Sequence, residues 1–98
     1  MAELTDNRAR HRYEMEVDGA QAFVEYRRDG TSVVLTHTEV PDALSGRGVG
    51  SRIARAVLDD ARTHGLSVVP DCEFIAGFIA RHPEYQSLIA ALPGRDAD

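Results

Sequence analysis

Ser45-Gly46-Arg47-Gly48-Val49-Gly50 sets three glycines at every second position, directly before a strongly helical stretch. Glycine removes Cβ where backbone must come close to something, and a helix start aims free N–H groups and a positive dipole end at that space. This is the chemistry of a phosphate or pyrophosphate cradle. Gly46, Arg47, Gly48, Val49, Gly50 and Ser51 can all offer N–H groups to one anion, and the Arg47 guanidinium can pair with it. The plainer alternative is a flexible strand-to-helix turn, because a lone glycine pattern is a weak signal. A Walker loop is excluded, since no Gly-Lys-Ser/Thr follows.

Four other positions could carry proton or acyl chemistry. Alternation places His37 and Glu39 on one face of a strand, together with Val33 and Leu35. A histidine on an apolar face is most often a hydrogen-bonded core residue, yet an imidazole is also a general base for an amine. Cys72 is the sole thiol, and a free cysteine is most often a small buried residue. Asp71 and Glu73 flank it; in an extended segment both would point to the opposite face. Tyr85 offers a phenol but reads first as core, as do Phe74 and Phe78. His11 falls in a polar start, His64 in a last helical turn where it complements the dipole, and His82 just before Pro83.

The elements that must position these groups follow from periodicity. Tyr13, Met15 and Val17 alternate over residues 12–17, and Ala20, Ala22, Val24 and Tyr26 alternate over residues 20–28. A third strand runs over residues 31–40 and stops at Pro41. Asp18-Gly19 and Asp29-Gly30 are hairpin turns, which makes an antiparallel meander. Val49, Ile53, Val57 and Ala61 predict a helix over residues 49–64, with Gly65 as its C-terminal cap. Residues 66–70 form a short strand, and the crossover before it favours parallel pairing with the third. Two short helices follow, over residues 73–81 and 83–91, the second turning Tyr85, Leu88, Ile89 and Leu92 inward. Residues 1–11 and the tail from Pro93 read as flexible termini. The fold class is α/β (α+β): a mainly antiparallel sheet with a crossover helix after the glycine loop.

Ninety-eight residues with 43% apolar content suffice for one small core, supported by tight packing or by a partner chain, hence a monomer or a homodimer. The net charge of -5 argues against a nucleic-acid surface, and no apolar run is long enough to span a membrane. A single cysteine and the lack of a signal-peptide pattern fit a reducing, cytoplasmic setting. A dinucleotide fold would need a parallel β–α–β unit at the loop. A loop that follows three antiparallel strands points instead to coenzyme A.

Four blocks carry a family resemblance: residues 35–41, 44–50, 69–74 and 81–85. In this order they resemble the small N-acetyltransferase-like domains of the GNAT superfamily, over residues 12–92. The resemblance implies acetyl-CoA as cosubstrate, with its pyrophosphate in the glycine loop and its pantetheine paired to the backbone of the preceding strand. The family loop reads Gln/Arg-x-x-Gly-x-Gly/Ala. Gly48 and Gly50 match, while Ser45 stands at the Gln/Arg position, which implies weaker affinity rather than loss. Cys72 then falls near the acetyl group, backbone N–H groups near Val40 near the developing oxyanion, and Tyr85 where family members often protonate the departing thiolate. His37, with Glu39, becomes the base for an acceptor amine, and no metal is expected. The implied activity is transfer of acetyl to an amine of unknown identity. The rivals are a non-catalytic acyl-CoA-binding module and a partner-binding domain with a vestigial loop.

Overall fold

The structure, a computed structural model, describes residues 4–89. Five strands lie in sequence order: β1 (Leu4–Asn7), β2 (Arg12–Val17), β3 (Ala20–Asp29), β4 (Ser32–Glu39) and β5 (Ser67–Pro70). The first four pair antiparallel, and β5 runs parallel to β4. Helix α1 (Val49–Thr63) makes the crossover between β4 and β5, and α2 (Glu73–Arg81) follows β5. A run of 3-10 turns, Pro83–Leu88, closes the described chain.

Local chemistry accounts for most of these boundaries. Asp18 and Gly19 both take positive φ, 51° and 82°, as a tight hairpin with right-handed strand twist requires. Helix α1 buries Val49, Ile53, Ala54, Val57, Leu58 and Ala61 along one stripe. It stops where Gly65 turns to φ 69°: the Leu66 N–H donates to the Ala61 carbonyl and the Gly65 N–H to the Arg62 carbonyl. That pair of bonds satisfies the last orphan acceptors of the helix. The core lies between α1, α2 and one face of the sheet, where Tyr13, Met15, Ala22, Val24, Tyr26, Val33, Leu35 and Val68 meet Ile75, Phe78, Ile79 and Tyr85. The opposite face carries Arg12, Glu14, Gln21, Phe23 and Glu25, with the Arg12 guanidinium 4.2 Å from the Phe23 ring centroid. There Arg12 Nε donates to Glu14 at 2.7 Å, and this bond holds the Glu14 carboxyl below the usual range.

The structure corrects several expectations. Leu4–Asn7 is not a frayed start but an edge strand in register with Arg12–Met15. Its few apolar atoms gave no periodic signal; backbone pairing and the Asn7–Glu14 bond of 3.1 Å hold it. Asp29 pairs with Ser32, so the second turn is Gly30-Thr31 rather than Asp29-Gly30. The C-terminal helix is a 3-10 run that ends at Leu88, and Ile89 is 40% exposed instead of inward. Leu92 and the tail from Pro93 lie outside the described residues. Phe74 is 38% exposed rather than core, while Phe78 is fully buried.

The correction with the widest effect is in β4. Tyr26 pairs with Leu35 but Glu25 pairs with His37, so Thr36 is an extra residue, a β-bulge. A bulge reverses the in–out alternation beyond it. His37 and Glu39 therefore do not share the face of Val33 and Leu35. Thr38 takes the core face, opposite Val24, and His37 and Glu39 take the open one.

Deleting Thr36 should remove the bulge and keep the register: His37 then follows Leu35 directly, still opposite Glu25 on the open face, and Thr38 stays opposite Val24 on the core face. Urea denaturation should show a change of about 1 kcal/mol or less, since an exposed residue is lost and no polar group is forced into the core. A loss on the order of 3 kcal/mol or more, the scale of uncompensated polar burial, would mean that the strand slips register and turns His37 and Glu39 under the helices.

Candidate active site

Strand β4 has two different edges. On one it pairs with β3 along its whole length. On the other its pairing with β5 ends at Leu35↔Pro70, and β4 continues for Thr36–Glu39 beyond that point. Pro70 ends the parallel ladder, and Asp71 turns back through an N–H bond to the Val69 carbonyl, 3.0 Å. The chain then enters α2 at Cys72, whose backbone is extended (φ -89°, ψ 126°). Among the described residues the β4 edge over Thr36–Glu39 therefore has no strand partner on the side of α2, and the glycine loop follows the end of β4 in the chain.

Within the loop, Gly46 and Gly48 take φ 77° and 74°, and a Cβ at either position would meet nothing within 4 Å. These two glycines supply left-handed backbone beside open space. Gly48 caps α1 without any side-chain acceptor, and the first turn holds no acid. The first intrahelical bond is from Arg52 N–H to the Gly48 carbonyl, 3.1 Å. The N–H groups of Val49, Gly50 and Ser51 thus lie ahead of the helical ladder, at the positive end of a 15-residue helix. Open space against uncapped donors fits an anion such as pyrophosphate.

Gly50 serves a different purpose from the one its spacing suggested. A Cβ there would stand 2.7 Å from Cζ of Phe74, so the bare helix surface receives the Phe74 ring. This contact ties the start of α2 to the start of α1 and explains why a large aromatic remains at the surface. Arg47 is also engaged: its guanidinium pairs with Asp18 at the tip of the β2–β3 hairpin. Both groups are well exposed, so the pair is worth at most about 1 kcal/mol and yields readily to a stronger anion.

At the start of α2 Cys72 is 8% exposed, its Sγ 3.2 Å from Oγ1 of Thr38. Sequence reasoning overlooked Thr38, because only the bulge turns it toward the thiol. On the opposite face of β4, His37 Nε2 lies 2.9 Å from Glu39 Oε1, and each side chain is 52% exposed. A carboxylate can only accept, so the proton of this bond sits on Nε2 and leaves Nδ1 as the basic atom. Glu25 lies directly across from His37 in register, which adds acid around the ring. The structure therefore joins His37 to Glu39 and Cys72 to Thr38, but sets the two pairs on opposite faces of one strand. Val40 follows β4, half-buried against the core.

Tyr85 belongs to a third group. Its hydroxyl donates to Asp59 Oδ1 at 2.7 Å and accepts from Arg55 at 3.3 Å, both on the middle turns of α1. Burial first, then the bond to Asp59, pushes its pKa up. Of the remaining histidines, His64 donates to the Asp60 carbonyl at 2.8 Å. His82 donates to the Phe78 carbonyl at 2.8 Å and stacks on the Phe78 ring. Among the described residues no group of His, Cys, Asp and Glu is arranged to hold a metal ion.

A mixed sheet in which β4 outruns its parallel neighbour β5, with a glycine loop and helix start after the end of β4, defines an acyltransferase-like class of fold. Residues 12–88 match the family described as GCN5-related N-acetyl-transferase, and the chain belongs to that family. It is 34% identical over 85 residues to Protein NATD1 of Bos taurus, covering 84% of this chain and 75% of that one. It is 32% identical over 89 residues to Protein NATD1 of Gallus gallus, covering 88% and 81%. The solution NMR structure of a GCN5-like protein from Staphylococcus aureus superimposes with a TM-score of 0.69 at 27% identity, covering 94% of this chain and 91% of that one.

Two loop glycines should separate in a stability measurement. Gly48→Ala places a side chain in left-handed backbone and should cost about 1–2 kcal/mol by urea denaturation. Gly50→Ala, made in a Phe74→Ala background, should instead gain up to about 1 kcal/mol from helix propensity. In the native background that gain should shrink, because the ring must swing away. Equal effects of Gly50→Ala in both backgrounds would show that Phe74 does not occupy the notch.

Proposed function

We propose that this chain binds acetyl-CoA and transfers its acetyl group to the nitrogen of a cationic amine. The observation that carries the reading is the pair Gly46 and Gly48, left-handed and open-faced over an uncapped helix start, beside the free edge of β4. The backbone N–H groups of Gly48, Val49, Gly50 and Ser51 would hold the pyrophosphate, with Arg47 exchanging Asp18 for a phosphate oxygen. The β4 backbone over Thr36–Val40 would pair with the pantetheine amides. Acetyl-CoA supplies an activated acyl carbon when bound.

The protein's own groups then have defined tasks. The free amine attacks the acyl carbon; a C–N bond forms, the C–S bond breaks, and the amine proton passes to Nδ1 of His37. Glu39 holds the imidazole in the tautomer that makes Nδ1 basic, and stabilises it once charged. Backbone N–H groups near Val40 stabilise the oxyanion. Cys72, steadied by Thr38, would lie alongside the acyl group, and CoA leaves as the thiolate, which takes up a proton from water. Because His37 is on the open face, the amine must approach across the free edge of β4. Glu25 and Glu39 around that path, with the net charge of -5, favour a lysine side chain or a polyamine.

The second reading is an acyl-CoA-binding module without transfer. The separation of His37 from Cys72 by the thickness of β4 favours it. In that case acetyl-CoA binds and no amine is acetylated.

Calorimetric titration with acetyl-CoA and CoA decides the first point. Gly48→Val should weaken both by at least about tenfold, on the scale of losing one charge-assisted contact. Undiminished affinity in a folded variant would place the site elsewhere. His37→Ala should lower turnover far more than cofactor affinity. Cys72→Ser should keep measurable transfer, with a loss of about tenfold, inside the range of a single proton-transfer group. Mass spectrometry of the native protein with acetyl-CoA alone should show no stoichiometric adduct on Cys72; an amine-dischargeable one would establish a covalent route. Tyr85→Phe should cost about 1 kcal/mol of stability and little rate, since its hydroxyl serves Asp59 and Arg55.

A further inference from the structure

Strand β3 overhangs its neighbour. Its last pair with β2 is Arg12↔Glu25, and Tyr26–Asp29 continue for four residues beyond it. At that corner the incoming chain leaves the sheet through the 3-10 turn Arg8–Arg10. His11 is held in left-handed backbone (φ 55°), with its carbonyl accepting from the Tyr26 N–H at 2.9 Å. A non-glycine residue in this conformation is strained, and such strain persists only where the surroundings impose it. The result is a cavity of about 520 Å³ lined by Arg8, His11, Tyr26, Arg27 and Arg28.

The charge in this corner is lopsided. Arg8, Arg27 and Arg28 line it, in a chain with a net charge of -5, and Arg27 and Arg28, adjacent along β3, approach it from opposite faces of the sheet. Asp6, the adjoining carboxylate, is already shared between Arg8 and the Tyr26 hydroxyl. Among the described residues neither Arg27 nor Arg28 has a carboxylate within 4.0 Å, even though Asp29 follows in sequence and Asp60 lines a second cavity that shares Arg8 and Arg28. Arginine forks suit planar oxyanions, and unpaired ones gathered in a concavity repel each other until an anion joins them. The size falls in the range of small-molecule sites, roughly 300–1,000 Å³.

The corner is also remote from the glycine loop. Arg27 and Arg28 pair with Val34 and Val33 at the start of β4, whereas the loop follows its end. Six residues of strand separate them, about 20 Å at strand rise. We propose that this corner is a second ligand site, separate from the transfer site. It takes a small organic polyanion that bears two or more carboxylate or phosphate groups. Arg8, Arg27 and Arg28 bind the oxyanions, and the edges of the Tyr26 and His11 rings, 6.4 Å apart and nearly perpendicular, flank the body of the ligand.

Residue-resolved NMR titration of the native chain with citrate and with inorganic pyrophosphate, at constant ionic strength, tests this. The expected result is saturable shifts at residues 8–11 and 26–28 with one or both probes. The Arg27→Gln/Arg28→Gln variant should weaken them at least about tenfold, as losing two charge-assisted contacts requires. These exposed substitutions should leave the remaining spectrum unchanged, and Gly48→Val should leave the corner titration intact. Shifts confined to residues 46–51, non-saturating shifts spread over all arginines, or an unaltered response in the double variant would each overturn the proposal. Corner shifts without any at residues 46–51 would support it while counting against pyrophosphate binding in the loop.

Discussion

One extra residue in β4 governs the arrangement of the candidate site. Thr36 bulges between the pairs Tyr26↔Leu35 and Glu25↔His37, and everything after it is turned over. Thr38 gains the core face and its contact with Cys72; His37 and Glu39 gain the open face and each other. Because side-chain direction has period two along a strand, no smaller change could exchange these neighbours. The bulge lies where β4 loses β5 as a partner, so the strand bends away just as its second edge becomes free.

That free edge depends in turn on the ending of β5. Pro70 cannot donate to the ladder, and Cys72 starts α2 two residues later. Helix α2 is held back onto α1 by Phe78 in the core and by Phe74 in the notch of Gly50. The glycine loop thus serves two ends. Gly46 and Gly48 give the backbone its left-handed path and leave open space, while Gly50 lets the two helices meet. A glycine pattern that looks uniform in sequence divides into conformational and packing roles.

All the packed helices lie on one side of the sheet, which leaves the other to polar residues. On that side lie the Arg12–Glu14 bond, the Arg12–Phe23 stack and the His37–Glu39 pair. Charge is also graded along the strands. Acids surround His37 near the loop end, and arginines gather at the far end around Tyr26. A domain this small has little room for separate layers, so its functions are spread over the two ends and two faces of one sheet.

The sequence by itself determined the meander, the crossover helix, the parallel last strand and the glycine loop at the helix start. These are local matters: Asp18-Gly19 fixes a hairpin, a stripe from Val49 to Ala61 fixes a helix, and glycine before a helix start exposes N–H groups. Tertiary structure decided the rest. Strand β1 has almost no apolar periodicity, so only the edge of β2 makes it a strand. The 3-10 run after Pro83 is set by packing Tyr85 against Asp59 and Arg55 rather than by helix propensity. The faces of His37 and Thr38 hinge on a bulge, and a bulge is a mismatch between two strands. One strand read alone shows unbroken alternation, so His37 had to look like a neighbour of Leu35 until β3 supplied the register that puts it on the other side.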